Sequence, residues 1–167
     1  MASNKTIFFI IGFLLIILGF FMLIPYGIQI FYKENSHSFL SSSLITILIG
    51  VLFLLGNLQE KHQLNLKQTF MFSTFAYIVV AFFGSIPFGL SGLDFSLSDL
   101  FFESMSGITT TGSSIIVDLN KIPKSLLLWR AIMQWLGGVG IIVMAITIVP
   151  LLKVGGMQLF RLESLDK

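Results

Sequence analysis

The chain has 167 residues, of which 55% are hydrophobic and 11% charged, with a formal net charge of +2. Soluble domains carry about 25% charged residues, so this composition excludes an ordinary soluble globular fold, and so small a net charge gives no basis for nucleic-acid binding. The chain contains no cysteine, which removes disulfides, thiolate metal sites and iron–sulfur clusters.

The apolar residues fall in four blocks, at about 6–32, 39–58, 69–90 and 126–152. Each supplies the ~20 residues that cross a bilayer as a helix, so the sequence predicts an all-α integral membrane protein. The first block follows Lys5, as a secretory signal would, but it exceeds the ~7–15 residue apolar core of such a signal and no small-x-small cleavage site follows it. It reads as a retained helix. Blocks one and two form an N-terminal hairpin, residues 1–60, with Gly12, Gly19, Gly50 and Gly56 as small residues that let helices approach closely in lipid. Nothing in the hairpin points to chemistry, so it reads as a scaffold.

Residues 61–167 form a second unit with the order helix, re-entrant loop, helix. Its first helix ends near Pro87 and Gly89, and residues 91–125 are too polar to span and too rich in Phe, Leu and Ile for a solvated loop. Apolar runs of ~10–14 residues are often re-entrant. Ser96 and Asp99 make a capping-box pattern directly before Leu100-Phe101-Phe102, predicting a helix from about Leu97 to Ser106, stopped by Gly107. The last helix opens near Ser125, after Pro123, and carries Arg130 and Gln134; Gly137, Gly138 and Gly140 are expected to interrupt it.

Between these helices stands Thr109-Thr110-Thr111-Gly112-Ser113-Ser114. A dehydrated cation needs a ring of oxygens, which inward-aimed backbone carbonyls supply. Glycine reaches positive φ without steric cost, and the C-terminal end of the preceding helix favours positive charge. Ion conduction is therefore the leading reading of the segment at 109–114; the plainer one is a helix stop and turn, made of residues that favour turns. Glu103, on the short helix, reads as one half of a polar clasp with Arg130, or with Asp118. The other possibility for the carboxylates is an outer vestibule that concentrates cations, with Asp118 and Asp94 the better candidates. Gln134 suits a hydrogen bond across helices, and the glycines after it either a hinge or close packing. His37 and His62 lack companions at metal-ligand spacing. No nucleophile–base pair or phosphate-cradling loop is present, so no enzyme is expected.

With four spans, Lys5, the loop with Lys61 and Lys67, Lys153, Arg161 and Lys167 share one side, which the positive-inside rule assigns to the cytoplasm along with both termini. Trp129 and Tyr32 are expected near the outer interface, with Trp135 deeper.

The run 101–114, the stretch Leu119-Asn120-Lys121-Ile122-Pro123-Lys124, the helix Trp129-Arg130-Ala131-Ile132-Met133-Gln134-Trp135-Leu136-Gly137-Gly138-Val139-Gly140 and the exit Gly155-Gly156-Met157-Gln158 resemble the membrane subunit of Trk-type potassium uptake systems, in the branch with an extra N-terminal hairpin. The resemblance implies a pore of four helix–loop–helix units related to potassium channels, each giving one filter strand, and a potassium ion as cargo with no other cofactor. Thr110, Thr111, Gly112 and Ser113 fall on its filter stretch; Ser113 stands where many relatives have alanine. A single filter glycine implies looser potassium selectivity than that of channels with a fuller glycine pattern. The resemblance also implies a bacterial inner membrane, a homodimer of full-length subunits and a cytosolic nucleotide-binding regulatory partner. Relatives carry four units in one polypeptide, and this sequence holds the hairpin plus one. It reads as the front portion of a longer chain, the alternatives being a self-assembling homotetrameric channel or a non-conducting membrane adaptor.

Overall fold

The computed structural model describes residues 5–34, 37–58, 66–117 and 122–151. Among them are five helices: α1 (Lys5–Phe31), α2 (Ser38–Gly56), α3 (Leu66–Gly89), α4 (Leu97–Ile108) and α5 (Lys124–Leu151). All but α4 are long and apolar enough to cross a membrane. Their outward faces carry Phe13, Phe20, Leu48, Leu52, Phe82 and Ile142, all exposed. Apolar surface spread over so many helices is what a lipid environment selects and a soluble monomer avoids.

α1 and α2 pack backbone to backbone. A Cβ on Gly12 would lie 2.7 Å from the Gly50 carbonyl oxygen, and one on Gly50 would lie 2.8 Å from that of Gly12. Glycine at both positions is what lets these two backbones touch. Ser43 Oγ donates to the Gly19 carbonyl at 2.8 Å, and Gln29 Nε2 donates to Ser38 Oγ at 3.1 Å near the turn. Gly56 has no neighbour within 4 Å of where a Cβ would stand; its expected packing role does not arise. The hairpin leans on the rest of the molecule through α1 against α3 and α5, and α2 against α3.

α4 lies against both α3 and α5. Two expectations about this region are corrected. Gly107 does not stop α4, which continues through it to Ile108; the glycine is there because a Cβ would come 3.1 Å from Met133 Cβ on α5. Nor do the glycines of α5 interrupt it, since α5 is helical from Lys124 to Leu151.

The two tryptophans differ in how they are packed. Trp129 is fully buried, its ring edge-on to Phe39 at 6.1 Å and its Nε1 donating to the Gly84 carbonyl at 2.9 Å. It joins α2, α3 and α5 in one contact. Trp135 is the exposed one, beside Phe21 at 5.9 Å. Trp129→Phe removes a buried hydrogen bond and part of the ring while keeping an aromatic wedge. We expect it to lower the midpoint of thermal unfolding in detergent, by an amount equivalent to about 1–3 kcal/mol. An unchanged midpoint would show that the indole nitrogen contributes nothing to the joint.

Candidate ion-binding loop

The loop is aimed by the helix before it. Ser96 caps α4: its Oγ accepts from Asp99 N at 3.3 Å, and its own N–H donates to Asp99 Oδ2 at 3.1 Å. The reciprocal pair satisfies two of the free N–H groups at the helix start. Small residues then bring α4 close to its neighbours. A Cβ on Gly84 of α3 would lie 2.7 Å from Ser104 Oγ, and one on Gly137 of α5 would lie 1.9 Å from the Ile108 carbonyl oxygen.

After Ile108 the backbone turns back on α4. Thr109 N donates to the Met105 carbonyl at 2.9 Å and Thr110 N to that of Gly107 at 3.0 Å. Thr111 N and Gly112 N both donate to the carbonyl of Ser106, at 3.1 and 3.3 Å. No peptide bond here is cis. In a trans peptide the carbonyl points opposite to the N–H of the next residue. The carbonyls of Thr109, Thr110 and Thr111 therefore all point away from α4. Among the described residues no donor reaches them, and residues 110–114 are exposed.

This arrangement needs unusual backbone. Gly112 has φ +76° and Thr110 has φ +58°. The first was legible in the sequence; the second was not, because a β-branched residue in the left-handed region is an outlier. Such strain persists only where the surroundings impose it and gathers at functional sites. Here three N–H bonds to the end of α4 impose it, helped by Thr109 Oγ1, which donates to the Met105 carbonyl at 2.8 Å and lies 2.9 Å from Thr111 Oγ1.

Ser113 is held differently from Thr109, Thr110 and Thr111. Its carbonyl accepts from Ser106 Oγ at 2.6 Å and so faces α4 instead of the open side. Ser106 thus holds the loop twice, with its carbonyl and with its hydroxyl. Sequence reasoning passed over it, although a serine within a helix, a placement its side chain makes neutral to unfavourable, is a signal of such use.

Behind the loop sits Glu103, 3% exposed. Its Oε1 lies 2.6 Å from Arg130 Nε. Ser114 Oγ donates to Oε1 and Oε2 at 3.0 and 3.2 Å, and Ile115 N donates to Oε2 at 3.2 Å. The carboxylate thereby ties α4, the loop and α5 together. Asp94 is exposed in the connection before α4, and no ion pair to it occurs among the described residues. Asp118 lies outside the described residues, as do His62 and the Gly155–Gln158 exit. Gln134 is exposed, its Nε2 3.7 Å from the point a Gly112 Cβ would occupy. Glu34 was missed altogether. Both its oxygens are used by Ser125, which donates to it through its backbone N at 3.2 Å and through its hydroxyl. The available signal was that Glu34 is the only acidic residue among the first 58.

Four helices long and apolar enough to cross a membrane, joined by short connections and a short capped helix, define the class: an all-helical membrane protein. The chain belongs to the TrkH cation transport protein family, whose profile matches residues 35–167. The family is one of transporters. It is similar to the Trk system potassium uptake protein TrkH of Vibrio parahaemolyticus, 36% identical over 161 residues that make up 95% of this chain and 33% of the relative. The TrkI protein of Halomonas elongata is 40% identical over 158 residues, 94% of this chain and 32% of its own. Among solved structures, the crystal structure of the potassium transporter TrkH from Vibrio parahaemolyticus superposes with a TM-score of 0.86 at 34% identity, over 92% of this chain and 33% of that one. The chain spans about a third of the length of the relatives it matches.

Proposed function

We propose that this chain supplies one of four filter strands in a potassium uptake pathway, the other three coming from further helix–loop–helix units of the same subunit. The observation that carries the reading is the set of carbonyls at Thr109, Thr110 and Thr111, all turned from α4 and without a donor among the described residues. At membrane depth such backbone is tolerated only where it is buried in protein or lines a water-filled path, and oxygens in this arrangement replace the hydration shell of a cation. The carbonyls of Thr109, Thr110 and Thr111 face the ion, Gly112 supplies the positive φ that the turn of the strand needs, and Ser113 anchors the strand to Ser106. Glu103 and Arg130 support the loop from behind, and residues 1–60 brace the unit at 61–167. Asp94 and Asp118 form a weak outer vestibule.

The relatives are named as potassium uptake proteins, which supports potassium as cargo. The finer parts of the proposal rest on family resemblance: insertion in a bacterial inner membrane, pairing of full-length subunits and a cytosolic nucleotide-binding regulator. The cytoplasmic placement of both termini rests on the distribution of Lys and Arg.

The test is potassium uptake into cells that lack other high-affinity uptake, comparing wild type with Gly112→Ala in the full-length subunit. A Cβ on Gly112 meets nothing closer than 3.7 Å, so alanine fits the space. What it does not fit is the left-handed backbone, where a side chain costs roughly 1–2 kcal/mol. We expect normal amounts of protein in the membrane, with potassium-over-sodium discrimination reduced about tenfold. Full discrimination in Gly112→Ala would remove the loop from the ion's path.

A further inference from the structure

We propose that Glu34, in the turn between α1 and α2, is a positioning residue for the ion-facing loop, acting through α5. The inference rests on the pore reading above and concerns a residue which that reading leaves idle. Two observations made at separate places carry it. At the outer end of α5, Glu34 accepts hydrogen bonds from Ser125 N at 3.2 Å and from the Ser125 hydroxyl. One and a half turns along the same helix, Arg130 Nε stands 2.6 Å from Glu103, which in turn holds Ser114 Oγ and Ile115 N.

Rigidity connects the two places. Ser125 and Arg130 are five residues apart, about 7.5 Å of helix axis, in a stretch of α5 that is helical throughout. A carboxylate at a helix N-terminus satisfies N–H groups that have no partner inside the helix and is favoured by the dipole. Ser125 is buried and Trp129, between the two points, is fully buried, so the first turns of α5 have no room to drift independently. Fixing the start of α5 therefore fixes the azimuth and height of Arg130. Arg130 in turn sets where the Glu103 carboxylate stands, and with it the point where the loop leaves the carbonyl series. In this scheme the hairpin is more than a brace in lipid: the carboxylate in its turn sets the bearing of the filter strand.

Hydrogen exchange on the full-length subunit in detergent tests this directly, using wild type, Glu34→Ala and Ser125→Ala. Ser125→Ala is the milder change, since it keeps the N–H bond to Glu34, and it serves if Glu34→Ala does not fold. The expected result is exchange at least tenfold faster at the amides of residues 124–127 and also at Ile115 and Ile116, with α1 and α2 unchanged. Faster exchange confined to 124–127 would reduce Glu34 to a local cap and overturn the proposal, as would no change anywhere. Uptake provides the second readout: potassium-over-sodium discrimination should fall severalfold at equal membrane levels, with Glu34→Asp restoring part of it. Discrimination unaffected by Glu34→Ala would also overturn it. A wild-type subunit that transports no cation, yet shows coupled exchange at 124–127 and 115–116, would sink the pore reading and leave the Glu34 linkage standing.

Discussion

Replacing Gly137 with alanine is expected to abolish selective uptake, whereas the same change at Gly138 or Gly140 is expected to do little. The added Cβ at 137 would stand 1.9 Å from the Ile108 carbonyl oxygen, 2.7 Å from its carbon and 3.1 Å from its Cα. Non-bonded carbons settle at about 3.5–4.0 Å, and the obstacle is backbone, so no rotamer change relieves the clash. α4 and α5 must separate at the residue that leads into Thr109–Gly112. Overpacking of this kind costs typically 1–3 kcal/mol, and the displaced atoms are those that aim the loop. At Gly138 the nearest atom is Thr110 Cγ2 at 4.0 Å, and at Gly140 it is the Tyr77 hydroxyl at 3.9 Å. Both are ordinary contacts, and alanine favours helix over glycine by about 1 kcal/mol. Uptake and thermal stability of the three variants decide the matter. Equal damage at all three would mean that this stretch works as a hinge and that packing at 137 is secondary.

How much of this was readable in the sequence depends on what kind of force placed each residue. The four spans were readable because bilayer thickness imposes a length and an apolar content that few other constraints mimic. The start of α4 was readable because Ser96 and Asp99 act locally, within one turn. Its end was not. Glycine is a helix stop in isolation, and only the approach of Met133 from α5 reveals that Gly107 serves packing. The same holds for Trp129. An aromatic near a span end suits the membrane interface, but here a carbonyl on α3 and a ring on α2 draw it inward. The loop shows both cases side by side. Gly112 declares its positive φ by being glycine, whereas Thr110 reaches the same region only because the carbonyl of Gly107 holds its own N–H and that of Ser106 holds the N–H groups of Thr111 and Gly112. Glu34 stood out as an isolated acid, but its role was hidden for a related reason. Its partner is Ser125, on a distant helix, and no spacing rule connects them.

Arg130→Gln is expected to destabilise the protein more than Glu103→Gln does, and the double variant should be less harmed than Arg130→Gln alone. In the wild type the Glu103 side chain is 2% exposed and that of Arg130 17%. Removing the arginine leaves a buried carboxylate with Ser114 Oγ and Ile115 N as its remaining partners. Breaking one side of a buried pair costs about 3–5 kcal/mol, because the other charge is left uncompensated. Glu103→Gln removes that charge instead and keeps an oxygen for Ser114 or Ile115, so its cost is smaller. It leaves Arg130, the more exposed partner, better able to find water. In the double variant neither charge remains to be desolvated, and the loss shrinks to imperfect hydrogen bonding. Arg130→Lys should fall between wild type and Arg130→Gln, since an ammonium keeps the charge without the planar geometry of the guanidinium. Unfolding midpoints in detergent, read beside uptake, give the double-mutant cycle. Strict additivity of the two single changes would show that the 2.6 Å contact carries no coupling, and the loop would then owe its shape to Ser106 and the end of α4.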